Sequence, residues 1–234
     1  MATSKPRLPD AARRLTKKVP DPPPEVAVDA RERLLQAGLQ MALEGGLRAM
    51  TVRALAQRAA ANLGSFVYHF GTRDRFIETL IERLYAPMFQ RLQALAATGA
   101  PADALLTLRG AILQLVSWLQ DNRVFVARLL MDAAAGEAAA RRFLAGLEAR
   151  HPALLLQLIQ QAQQAGRLQP GDAAHQLLFL MSSLALPVLA FELVLSGSPS
   201  PPPLLQRLAG YALDRSQTQA RLDWALRGLA PQGA

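Results

Sequence analysis

Residues 51–76 (TVRALAQRAAANLGSFVYHFGTRDRF) restrict the fold of this chain more than any other segment. They predict two short helices, 52–59 and 63–69, joined by a tight turn and followed by the start of a third helix. The segment is basic, because it contains one acidic residue, Asp74, and four arginines, Arg53, Arg58, Arg73 and Arg75. A small basic unit of two helices is typical of a helix-turn-helix that binds DNA.

The rest of the chain predicts an all-α fold. A helix from Asp29 to about Glu44 should precede the two short helices, and apolar spacing predicts further helices at 73–97, 101–120, 122–134, 137–149, 151–165, 173–195 and 203–229. No strand alternation, phosphate-binding Gly-rich loop or fixed repeat is visible. We therefore expect a basic, Pro-rich disordered arm at 1–28, a three-helix DNA-binding domain at 29–75 and a larger helical ligand-binding and dimerisation domain at 76–230.

Composition limits the possible functions. The net charge of +8 and the pI near 10.9 favour a polyanionic partner. Cysteine is absent, which excludes disulfides, a thiolate nucleophile and Cys-based metal sites. The histidines, His69, His151 and His175, lack metal-ligand spacing, and no acid pair stands beside a nucleophile. We therefore expect neither a metal nor a cofactor, and no enzymatic activity.

Two segments bear on localisation. The arm at 1–28 contains every lysine and no apolar run of a signal peptide, so we expect a cytoplasmic protein. The arm is either a solvated tail or an extension that contacts DNA phosphates or a minor groove. The longest uncharged apolar stretch, 177–191, is shorter than the ~20 residues of a membrane span. We interpret it as a buried core helix and expect no membrane partner.

A set of residues at fixed spacing runs through 29–85: Gly46, Thr51-Val52, Leu55-Ala56, Ala59, Asn62-Leu63-Gly64, Tyr68-His69-Phe70, Thr72-Arg73-Asp74 and Phe76. In this register the chain resembles the TetR family of transcriptional regulators, and within it a subgroup with Asn-Leu-Gly and Tyr-His-Phe-Gly in the recognition helix. The resemblance implies a ligand-responsive regulator, most often a repressor. Such a protein binds a near-palindromic double-stranded operator and is released by a small apolar or amphipathic ligand.

The same resemblance implies a homodimer. The apolar helices near 173–195 and 203–229 are the expected self-pairing segments. A two-fold dimer would place its two DNA-reading units about one DNA turn apart, roughly 34–36 Å.

The expected DNA-binding residues lie on and around the second short helix: Thr51, Arg53, Asn62, Leu63, Gly64, Ser65, Val67, Tyr68, His69 and Arg73. Gly64 permits close backbone approach, and a thymine methyl contact would explain an exposed Leu63. Arg73 at a helix amino terminus suits a phosphate. Alternatives remain, since Asn62 is equally suited to capping and Tyr68 and His69 to packing on the first helix.

Polar or aromatic residues within the apolar helices of the carboxy-terminal domain are candidates for ligand binding: Trp118, Phe125, Arg128, Asp132, His175, Met181 and Glu192. Each has a structural alternative. The aromatic residues and Met181 suit core packing, Arg128 and Asp132 are spaced as a helix-surface pair, and His175 suits a helix cap.

Two departures from the family pattern support an alternative function. The turn has Ala60 where glycine is usual, which costs roughly 1 kcal/mol if the position needs a positive φ. Val67 replaces a common tyrosine. The alternative is a small-molecule-binding or scaffold protein whose basic domain binds DNA only non-specifically.

Overall fold

The computed structural model describes residues 24–99, 103–196 and 200–231. Their fold is all-α, as predicted, and within these ranges there is no strand. The helices are α1 (Pro24–Gly45), α2 (Val52–Arg58), α3 (Leu63–Phe70), α4 (Arg73–Thr98), α5 (Ala104–Asp121), α6 (Arg123–Ala134), α7 (Ala138–Ala145), α8 (His151–Gln164), α9 (Ala173–Ser196), α10 (Pro203–Leu213) and α11 (Arg215–Gly228). Residues 1–23 of the expected arm lie outside the described residues.

Three helix boundaries differ from the prediction. The first helix begins at Pro24 instead of Asp29, since proline is well tolerated in the first turn, where backbone N–H groups have no helical acceptor. The predicted helical region 203–229 breaks at Asp214, whose carboxylate caps α11 by accepting from the Gln217 N–H at 2.9 Å. Helix α7 ends at Ala145 instead of 149, whereas α8 begins at His151, as predicted.

The molecule has two hydrophobic clusters. One fills the head, which we define as residues 24–75, and includes Leu34, Leu55, Phe66 and Phe70. The other fills the body, which comprises the remaining described residues, and joins α4, α5, α8, α9 and α11. Residues of α6 and α7, Phe125 among them, belong to the head cluster. The body therefore completes the core of the head, which anchors the two parts to each other.

Helix α9 is packed on one face only. Leu180, Leu184 and Val188 recur every four residues and are buried, whereas Leu178 and Leu186 are exposed. The segment Ala173–Leu195 is long and apolar enough to cross a bilayer, with 17% of its most apolar window buried in this chain. The predicted buried core helix is therefore wrong in this chain, because the rest of the fold covers just one side of α9.

Candidate nucleic-acid interface

Helix caps define the two short helices of the head. The Thr51 hydroxyl accepts from the Ala54 N–H at 3.2 Å, and the Asn62 side-chain carbonyl accepts from the Ser65 N–H at 2.7 Å. Such contacts satisfy N–H groups that have no partner within the helix. Capping, the alternative that the sequence offered for Asn62, is thus its role in this structure.

The turn between α2 and α3 contains the one positive-φ residue other than glycine in the described ranges, Ala60 at φ 47°. Arg33 supports this turn, since its Nε donates to the Ala59 carbonyl at 3.0 Å. The expectation that this position needs a positive φ is confirmed. Alanine adopts the conformation that glycine would, so the turn keeps its shape at an energetic cost.

Helix α3 separates its side chains into an inner and an outer set. Phe66 and Phe70 point into the head core with ring centroids 5.6 Å apart. Leu63, Val67 and Tyr68 are more than half exposed, Gly64 is also exposed, and Ser65 and His69 are half-buried. The outer set forms the candidate interface, and the DNA contacts of its members remain predictions.

The arginines around α3 differ in their contacts. Arg53 is exposed on α2, as a phosphate contact requires. Arg58 is held by both oxygens of the Glu44 carboxylate, at 2.6 Å each.

Arg73 links the head to the body. Its Nε donates to the Met50 carbonyl at 2.7 Å, and a terminal nitrogen donates to the Leu47 carbonyl at 2.7 Å. Both terminal nitrogens also bond the Glu137 carboxylate, at 2.9 and 3.2 Å. Four of the five guanidinium N–H groups are thus committed within the chain. The phosphate contact of Arg73 stays a prediction, and in this structure most of its donors are used within the chain.

Asp132 makes a second contact between the same two regions. Its carboxylate accepts from the Leu47 N–H at 2.5 Å. Gly46 allows this approach with φ 79°, since a Cβ there would lie 2.7 Å from the carboxylate oxygen. We call Arg73, Glu137 and Asp132, with the backbone of Leu47 and Met50, the interdomain clamp. Asp132 is therefore a structural residue, and its predicted ligand role is not supported.

Comparison with known proteins agrees with this geometry. Residues 34–80 match the family model for bacterial regulatory proteins of the tetR family. The head is similar to the amino-terminal domain of this family. The HTH-type transcriptional repressor NemR of Escherichia coli K12 is 37% identical over 71 residues, which are 30% of this chain and 36% of that repressor. The chain therefore matches about a third of the length of this curated relative.

Solved structures share the fold over most of the chain. The SmeT–triclosan complex covers 87% of this chain and 93% of its own, with 19% identity and a TM-score of 0.63. A TetR transcription regulator from Haloarcula marismortui covers 87% of this chain and 100% of its own, with 16% identity and a TM-score of 0.62. At these identities the likeness establishes the fold.

Among the cavities of the described residues, none is lined by more than one of the ligand candidates of the body. Phe125 is buried in the head cluster, and Glu192 forms an ion pair with Arg123 at 2.9 Å. Both residues thus have structural contacts within the chain, and their ligand role stays a prediction. Met181 packs partly buried on the body core, and Arg128 is half-buried on α6.

Trp118 and His175 line two different cavities. Trp118 donates from its indole nitrogen to the Leu84 carbonyl at 3.2 Å and borders a cavity of about 180 Å³. His175 is exposed and borders a cavity of about 400 Å³ between the start of α9 and the end of α11. These two residues retain their predicted ligand role as a proposal.

An aromatic cluster that the sequence did not indicate lies beside Trp118. The Tyr85 hydroxyl and His151 Nδ1 are 3.0 Å apart, and the rings of Tyr85 and Phe143 meet edge to face at 5.3 Å. The Arg150 guanidinium lies over the Tyr85 ring at 5.2 Å. Burial, and then the charge of Arg150, lower the pKa of His151 to about 4, while burial raises the pKa of Tyr85. Both groups are therefore neutral at pH 7.

No local pattern predicts this cluster, since Tyr85 and His151 are 66 positions apart. Within the described ranges, no group of three or more His, Cys, Asp or Glu side chains is arranged to hold a metal ion.

Proposed function

We propose that this protein is a ligand-responsive transcriptional regulator that acts as a repressor. It binds a near-palindromic operator as a homodimer in the cytoplasm, and a small apolar or amphipathic ligand releases it. One observation carries the proposal. In a head that matches the tetR family, α3 turns its phenylalanines inward and leaves Leu63, Gly64, Val67 and Tyr68 free to enter a major groove.

The uncovered apolar surface of the last three helices supports a homodimer. Its exposed members are Leu178, Phe179, Leu186 and Val194 of α9, Leu204, Leu208 and Tyr211 of α10, and Trp224 of α11. Large apolar patches of this kind are uncommon on monomeric proteins and mark interfaces. A second copy, related by a two-fold axis, would cover this surface and direct both heads to one face of the DNA.

The body supports a small-molecule ligand. One solved protein of the same fold is described as a complex with triclosan. In this chain, Tyr85 and His151 are neutral at pH 7 and lie among aromatic rings, which suits an uncharged or weakly polar ligand. Because α4 contains both Tyr85 and Arg73, a ligand that displaces its middle also strains the interdomain clamp. A coupling of 1–3 kcal/mol would change operator occupancy severalfold to about a hundredfold.

Selection from a random pool of DNA duplexes, followed by sequencing, tests the proposal. We expect an enriched motif with two-fold symmetry that keeps its affinity at physiological salt. Binding to all duplexes alike, lost as salt rises, would instead support the non-specific alternative. Ala60 does not favour that alternative, because the turn retains the required conformation.

A further inference from the structure

The outer face of α3 carries two aliphatic side chains with no packing role. Leu63 is 53% exposed and Val67 is 59% exposed, and they lie four residues apart on one side of the helix. Neither belongs to the head core, which the same helix supplies through Phe66 and Phe70. Because Leu63 and Val67 lie at the centre of the surface proposed to read DNA, we expect them to contact an apolar group of the DNA.

The usual readers of guanine are missing from this surface. Guanine is most often read by arginine or lysine, which donate two hydrogen bonds to its major-groove edge. Residues 59–72 contain neither residue type. The arginines that flank this segment, Arg58 and Arg73, are bonded to Glu44 and to the interdomain clamp.

The usual reader of adenine is also occupied. An asparagine reads adenine with its amide oxygen and nitrogen together. The Asn62 amide oxygen caps α3 by accepting from the Ser65 N–H at 2.7 Å, so it cannot form that pair without uncapping the helix. Hydrogen-bonded base readout from α3 is therefore limited to the hydroxyls of Ser65 and Tyr68 and the imidazole of His69.

We propose that Leu63 and Val67 read the C5-methyl groups of thymines in the operator, an inference that rests on the proposed function. The thymine methyl is the apolar group that normal DNA offers in the major groove. Side chains four apart on a helix have Cβ atoms roughly 5–6 Å apart. That distance lies between one and two base steps of about 3.4 Å. The contacted thymines should thus be adjacent or separated by one base.

Replacing thymine by uracil tests this inference, because it removes one methyl group and leaves every hydrogen-bonding group of the base in place. The probes are the full-length protein and the selected operator, with each thymine of a half-site replaced in turn and the Kd measured by fluorescence anisotropy. At one or two positions per half-site we expect binding to weaken about fourfold, as the loss of one buried methyl contact implies.

Side-chain truncation assigns each methyl to its reader. In Leu63→Ala, uracil substitution at one of these positions should have no further effect, and Val67→Ala should do the same at the other. Leu106→Ala is the matched control, since Leu106 is 65% exposed on α5 of the body, and it should retain both sensitivities. Leu63 and Val67 are both exposed, so their alanine variants should fold. Thermal unfolding of each variant checks this.

The outcomes separate the two proposals. Two results would overturn methyl reading while leaving the regulator function intact. In the first, the protein binds its operator specifically and uracil substitution does not change the Kd. In the second, uracil substitution weakens binding of both alanine variants as much as that of the unmodified protein. A change in oligomeric state in Leu63→Ala, with operator binding unaltered, would also overturn it. Absence of any preferred duplex would contradict the proposed function itself.

Discussion

Arg73→Ala distinguishes the clamp from a phosphate contact. In the structure, the Arg73 side chain is 28% exposed and the Glu137 side chain is 7% exposed. Alanine removes four hydrogen bonds and leaves the Glu137 carboxylate buried beside the Leu47 and Met50 carbonyls. The unpaired negative charge, more than the lost bonds, should dominate the cost.

The expected loss of stability is substantial. Removing one partner of a buried ion pair costs about 3–5 kcal/mol. Because Arg73 is partly exposed and water can enter its place, we expect the lower end, about 3 kcal/mol. Arg73→Ala combined with Glu137→Ala should be less destabilised than Arg73→Ala alone, since it leaves no buried unpaired carboxylate.

Urea unfolding at fixed protomer concentration measures this loss, because a dimer's stability depends on concentration. Arg142→Ala is the matched control. Arg142 also joins the body to α4, through Asp74 and Glu78 at 2.9 and 2.8 Å, but its side chain is 51% exposed. We expect that variant to lose much less stability than Arg73→Ala, because ion pairs exposed to solvent contribute little.

The salt dependence of operator binding completes the test. A lost phosphate contact lowers the slope of log K against log salt by about one. The clamp role predicts an unchanged slope for Arg73→Ala under conditions where the variant is folded. An unchanged urea midpoint together with a slope lowered by about one would refute the clamp and restore the phosphate contact.

Three further outcomes are expected. Ala60→Gly should raise the free energy of unfolding by about 1 kcal/mol by relieving a positive φ; a decrease would refute strain at the turn. Since the pKa of His151 falls from 6.5 to about 4 on folding, the unfolded chain binds more protons between these pH values. About 3 kcal/mol of stability should therefore be lost as pH falls from 6.5 to 4, and His151→Gln should flatten that dependence in urea titrations. Arg53→Ala should lower the salt slope by about one, unlike Arg167→Ala on the exposed α8–α9 loop; equal slopes would remove Arg53 from the phosphate contacts.

Local features of the fold were predictable from the sequence. The caps at Thr51 and Asn62, the turn at Ala60 and the inward Phe66 and Phe70 depend on neighbours within a few residues. Short-range rules for capping, glycine conformation and helix periodicity therefore sufficed.

Contacts between distant residues were not predictable from the sequence. Asp132 and Arg73 bond Leu47 and Glu137, which are 85 and 64 positions away. Glu192 likewise pairs with Arg123, 69 positions away. Polarity within an apolar helix indicates that a partner exists, but it does not distinguish a ligand from another part of the chain.

Helix α9 shows a different limit. A helix that is apolar on all sides has no periodicity to mark the packed face, so its sequence predicted a buried core helix. The described residues cover the side of Leu180 and Leu184 and leave that of Leu178 and Leu186 exposed. We propose that a second copy of the chain covers the exposed side.

Helix α4 connects the observations on the head and the body. It begins with Arg73 in the interdomain clamp and reaches Tyr85 in the aromatic cluster, a rise of about 18 Å for an α-helix. Between these points Asp74 and Glu78 pair with Arg142 of α7, and Glu82 pairs with Arg150 at 2.6 Å. Ion pairs therefore join α4 to Arg142 of α7 and to Arg150 along the stretch between Arg73 and Tyr85. We expect a ligand that displaces α4 at Tyr85 to perturb these ion pairs and the position of Arg73, and a shift of Arg73 would alter the position of the head.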